Sequence, residues 1–62
     1  MEPKKWQLEQ TTKYLGKFVL YNNSLYEVID TIKCEGEVTL SNFNKIAKAK
    51  ISEISIKEIV LE

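Results

Sequence analysis

The chain has no histidine, no arginine, one cysteine (Cys34), one proline and two glycines. Each scarcity removes a class of chemistry. Without histidine, no side chain has an ordinary pKa near neutrality, so general acid and base work would fall to a carboxylate pair held in a cleft. Glu35 and Glu37 flank a turn glycine, and Glu27 falls on the outer parity of its strand, so all three read as solvated charges. Cys34 has no histidine to take its proton, and a single thiol can neither form an internal disulfide nor complete a zinc set. Gly16 and Gly36 stand twenty residues apart, which excludes a glycine-rich phosphate loop. The expectation is a non-enzyme with no cofactor and no metal ion.

Long apolar runs are missing too. Nothing approaches the roughly 18 residues of a membrane span, so no membrane partner is expected. The start, Met1-Glu2-Pro3-Lys4-Lys5-Trp6, lacks the apolar stretch of an export signal, and with the lone thiol this gives an expectation of a reducing, cytoplasmic setting.

What is present is modest. At 62 residues there is room for one domain, and a chain of this size buries only roughly 60% of its unfolded surface. Most of its 44% apolar residues must therefore enter the core. Nine cations balance nine acids, and every cation is lysine. Lysine, isoleucine and asparagine in place of arginine reflect an AT-rich genome.

Alternation of period two dominates the middle of the chain. Lys17-Phe18-Val19-Leu20-Tyr21 and Leu25-Tyr26-Glu27-Val28-Ile29 read as strands, and Asn22-Asn23 suits the two-residue turn between them because asparagine tolerates positive φ. That register sets Val19 opposite Tyr26 and Leu20 opposite Leu25. A three-residue loop at Cys34-Glu35-Gly36 then joins a second hairpin, with Lys33 opposite Glu37 and Ile32 facing Val38. Parity assigns Val19, Tyr26, Val28, Ile32, Val38 and Leu40 to one inward face. It also turns Asp30 inward, a fault that a bulge near Ile29-Asp30-Thr31 would relieve. After the polar loop Ser41 to Asn44, the run Ile46 to Ile51 reads as a strand with Lys48 and Lys50 outward and Ala47 and Ala49 inward. A turn near Ser55 to Glu58 precedes a last strand at Ile59-Val60-Leu61. In residues 3–15, Pro3 and Gly16 favour a short helix, whereas Trp6, Leu8, Thr12 and Tyr14 also fit a strand.

The strings Gly16-Lys17-Phe18-Val19-Leu20-Tyr21, Leu25-Tyr26-Glu27-Val28, Gly36-Glu37-Val38-Thr39-Leu40 and Lys57-Glu58-Ile59-Val60-Leu61 resemble the small SH3-like barrel domains of bacteria and their phages. The resemblance implies an all-β, five-stranded SH3-like barrel over residues 16–61 with residues 1–15 as an appendage. It is a resemblance of fold, and fold alone does not supply function. The peptide-binding members use a tryptophan beside acids and tyrosines. Here the one tryptophan, Trp6, precedes the barrel pattern.

Two surfaces are candidates. Phe18, Leu20, Leu25 and Ile29 share the face turned away from the interior, and Trp6 lies in the arm that would meet them. This gives a protein interface, to an unidentified partner or a second copy, unless the chain's own first residues cover it. The other is an acid-free stretch with Phe43, Lys45, Lys48 and Lys50, where cations and a stacking ring suit nucleic acid. Lysines also keep an exposed strand soluble, and the lack of arginine removes bidentate contacts. The leading expectation is a non-catalytic protein-binding domain of a phage or mobile element. Nucleic-acid binding through the lysine-rich strand is the alternative.

Overall fold

A computed structural model describes residues 2–57. Along the chain lie α1 (Lys5–Tyr14), β1 (Phe18–Tyr21), β2 (Ser24–Cys34), β3 (Glu37–Asn42), β4 (Lys45–Lys50), a 3-10 turn (Ile51–Glu53) and β5 (Ser55–Lys57). The five strands make one antiparallel sheet in the order β4-β3-β2-β1-β5. The fold is mostly β with one short helix. The sheet is open, since no ladder joins β4 to β5 among the described residues, where the sequence leads one to expect a closed barrel.

The ambiguous first segment is a helix. Its start is tied by the Gln7 side chain, whose Oε1 accepts the Lys4 N–H at 2.8 Å, an exchange that satisfies one backbone donor at the helix entry. Pro3 precedes this entry instead of occupying the first helical position. At the far end Gly16 takes φ 78, the left-handed conformation that stops a helix at little cost, and its N–H donates to the Val28 carbonyl at 2.9 Å. The helix therefore leads directly into the sheet.

The first hairpin follows the expected register. Asn22 and Asn23 adopt φ 51 and 64, as a type I′ turn requires, and Val19 pairs with Tyr26 and Leu20 with Leu25. The second departs from it. The register shifts between Val28 and Asp30, the bulge that parity demands, and shifts again before Cys34. Each shift has a consequence. The bulge turns Asp30 outward, where it pairs with Thr39, and puts Thr31 rather than Ile32 on the inner face: Thr31 is 2% exposed and Ile32 54%. The later shift pairs Cys34 with Glu37, so the turn is the two-residue Glu35-Gly36 and not a three-residue loop. Lys33 reaches Asp30 instead, at 3.8 Å.

The inner face buries Val19, Val28, Val38, Leu40 and Ala49, and Tyr14, Tyr21, Tyr26, Ile51 and Ile54 pack around them. Full burial of a valine or leucine contributes about 1.5–3 kcal/mol, so these few positions carry much of the stability. Beyond β4 the chain turns sooner than its pattern suggests. The 3-10 turn at Ile51–Glu53 replaces the turn expected near Ser55, and β5 pairs Ile56 with Val19. The strand expected at Ile59-Val60-Leu61 lies outside the described residues.

Candidate functional site

Where the helix docks decides which surface stays free. Its contact stripe runs along Gln7, Gln10, Thr11 and Tyr14, and the first three are polar. Gln10 is buried, donates through Nε2 to the Thr31 carbonyl at 2.8 Å and accepts the Gly36 N–H on Oε1 at 2.8 Å. The Gln7 amide donates to the Ile32 carbonyl at 3.0 Å, and the Thr11 and Thr31 hydroxyls meet at 2.6 Å. Tyr14 continues the stripe onto the apolar core. Because Thr31 is an inner-face residue, the helix closes the inner side of the sheet at the far end of β2.

The helix accordingly does not cover the outer face of the first hairpin. Phe18 and Leu20 project outward from β1, and Leu25 stands opposite Leu20; Phe18 is 39% exposed and Leu25 44%. Ile29, the extra residue of the bulge, is exposed on the same side. Lys57 and Glu27 flank Phe18 on the neighbouring strands. Glu27, opposite Phe18 and between Leu25 and Ile29 in strand alternation, sets a charge within this apolar group, while Lys57 stands on the edge strand. Trp6 does not join it. That side chain is half-buried on α1, one residue before the glutamine that holds the Ile32 end of β2.

Phe43 occupies the turn between β3 and β4, where Asn42 pairs with Lys45 and only Phe43 and Asn44 form the tip. Its φ is 52, a conformation that glycine usually supplies and that is an outlier for a bulky residue, and its side chain is 101% exposed. No packing in the fold offsets that backbone strain. Two shallow clefts of about 230 Å³ each meet at this ring. One is lined by Phe18, Leu25 and Glu27 among others, and joins Phe43 to the apolar hairpin face. The other is lined by Ser24, Tyr26, Asn42, Phe43, Asn44 and Lys45 and contains no acid.

The four residues expected to form a nucleic-acid strip are divided. Strand alternation sets Lys48 and Lys50 on one face of β4, opposite Thr39 and Glu37, and Lys45 on the other face beside Phe43. Sequence reasoning also missed three cleft residues. Parity assigns Tyr26 to the inward face, but it is half-buried and lines both clefts, its ring held edge-on to Tyr21 at 5.8 Å. Asn42 and Asn44 were simply loop polarity; the Asn-Phe-Asn string at a two-residue turn was the available signal.

Elsewhere the chemistry is sparse. Cys34 is exposed, with Sγ 3.7 Å from the Glu35 carbonyl oxygen. Among the described residues no three of histidine, cysteine, aspartate and glutamate are grouped to hold a metal ion, and no helix is long and apolar enough to cross a membrane. No protein-family model, curated protein or solved structure matches the chain.

Proposed function

We propose that this is a non-catalytic binding domain of SH3-like type that contacts a protein through the outer face of its first hairpin. The observation that carries this reading is the placement of α1. A small domain needs its apolar residues in the core, and the helix, the one segment N-terminal to the sheet among the described residues, docks on the side opposite Phe18, Leu20, Leu25 and Ile29. The SH3-like assignment is supported by the strand order, the long bent β2 with its bulge and the 3-10 turn before β5. The three-lysine strip loses its support, because Lys45 is on the other face from Lys48 and Lys50.

A photo-reactive residue at position 20 tests the interface. In the native host it is expected to give one discrete protein adduct, where the same residue at position 50 gives none. Phe18→Asp added to the position-20 reporter should abolish the adduct while leaving the circular dichroism spectrum unchanged. A covalent dimer of the chain would identify the partner as a second copy. Equal labelling from both positions, or none from either, defeats the proposal.

A further inference from the structure

The acid-free cleft beside Phe43 is distinct in chemistry from the hairpin face. Its six lining residues supply one phenyl ring, one phenol, two primary amides, a hydroxyl and one ammonium group. Lys45 makes no ion pair among the described residues, so its charge is available to a ligand. Phe43 presents both faces of its ring to solvent and is held there by a backbone conformation that costs energy and brings no packing. Strain of this kind is retained where a side chain must be presented in one direction. A flat ring, a nearby cation and two amides within one shallow cleft match the parts of a nucleotide: a base to stack, a phosphate to neutralise, and base edges that need donors and acceptors.

We infer that this cleft is a subsite for single-stranded nucleic acid, in which an unstacked base lies on Phe43 and the adjoining phosphate meets Lys45. Asn42 and Asn44 supply donors and acceptors for the base edge, and Tyr26 lines the same cleft. Single strand is favoured over duplex because the cleft is shallow and the ring can only reach a base face that is not already stacked. The site is of one base and one phosphate, so binding is strongest at low salt. Lys48 and Lys50 play no part, being on the other face of β4.

Fluorescence anisotropy with a labelled oligothymidylate, titrated across salt concentrations, tests the inference. The wild-type chain is expected to bind at low salt. Phe43→Ala should weaken binding on the order of tenfold, the scale of one lost base–aromatic stack, and Phe43→Tyr should retain it. Lys45→Gln should lower the log–log salt slope by about 0.7, the value for one phosphate of a single strand, while the paired change Lys48→Gln and Lys50→Gln leaves the slope unchanged. Both positions 43 and 45 are exposed, so these variants keep the fold. The inference is overturned if the wild type binds no oligonucleotide at low salt, if Phe43→Ala binds as well as wild type, or if duplex binds as well as single strand. It is overturned equally if loss of Lys48 and Lys50 reduces the slope as much as loss of Lys45. Ring-dependent binding to anionic phospholipid vesicles without oligonucleotide binding would assign the cleft to a membrane surface instead.

Discussion

Gln10 joins the helix to the sheet through Thr31: its Nε2 lies 2.8 Å from the Thr31 carbonyl oxygen, within the buried seam between α1 and β2. The same amide accepts the N–H of Gly36, and the Gly36 carbonyl in turn accepts the N–H of Ile51 at 2.9 Å. One turn, Glu35-Gly36, thus connects the helix to the segment that leads into β5. A buried amide is tolerated only when both ends are satisfied, and here both are. This seam fixes α1 on the inner side, away from the outer face of the first hairpin.

Gln10→Leu keeps the approximate volume but orphans the Thr31 carbonyl and the Gly36 N–H. A buried polar group without a partner costs about 1–3 kcal/mol, so the variant is expected to lose about 2–3 kcal/mol in urea denaturation. Lys13→Ala, on the exposed side of the same helix, should stay within about 0.5 kcal/mol of wild type. Equal effects at the two positions would mean that the helix is not docked through Gln10.

Gln10→Glu gives the same seam a pH dependence. A carboxylate can accept from Gly36 but faces the carbonyl oxygens of Thr31, Cys34 and Glu37, to which only the protonated form can donate. The folded state therefore raises the carboxyl pKa above its unfolded value of about 4.3. Stability from such a group is fully present below the unfolded pKa and is lost as pH rises through the folded one. Relative to wild type, the variant should be nearer its parent at about pH 4 than at pH 7. A difference from wild type that does not change with pH would contradict the geometry.

The double register shift in β2 makes a prediction that plain alternation gets wrong. Ile32→Ser should cost no more than about 0.5 kcal/mol, because the side chain faces solvent. Leu40→Ala, which removes the largest buried side chain, should cost about 2–5 kcal/mol and leave so small a domain unfolded. Chemical denaturation of the two variants decides the matter. A large loss from Ile32→Ser would restore that residue to the core.

The first hairpin was legible because its signals are local: Asn22-Asn23 fixes the turn, the turn fixes the register, and the register fixes both faces as far as Val28. Parity also exposed its own failure at Asp30, which located the bulge. What parity cannot count is a second irregularity, and the shift before Cys34 cancelled the expected Lys33–Glu37 pairing. The helix was half legible. Its end is visible in Gly16, whereas Pro3 falls before the entry that Gln7 ties, and its docking stripe is made of glutamine and threonine, so no apolar periodicity announces which side it covers. The division of the lysines has a simpler reason: the loop at Ser41 to Asn44 was legible but its two-residue tip was not, and Lys45 differs in parity from Lys48 and Lys50.

Gly36 offers a test of the turn that separates space from strain. A Cβ there would meet nothing within 4 Å, yet φ is 80. Gly36→Ala is therefore expected to cost about 1–2 kcal/mol from backbone conformation alone. Introducing D-alanine at this position by chemical synthesis should reverse the sign, since its preferred φ matches the turn and the unfolded chain loses freedom. Destabilisation by both enantiomers would show that the position is crowded.

Phe43→Gly sets stability against function in one substitution. The phenyl ring packs on nothing that its removal would disturb, being fully exposed, and glycine accepts a φ of 52 without the penalty that an L side chain incurs. Thermal denaturation should show the variant more stable by about 1 kcal/mol, the lower end of the left-handed cost for a residue with a side chain. The oligothymidylate affinity should fall as it does for Phe43→Ala. Opposite signs in the two assays are what a residue held for binding must give, because a residue held for folding would lose stability on replacement. If the glycine variant is less stable than wild type, the ring is packed in solution, and its exposed presentation, with the nucleotide subsite built on it, has to be abandoned.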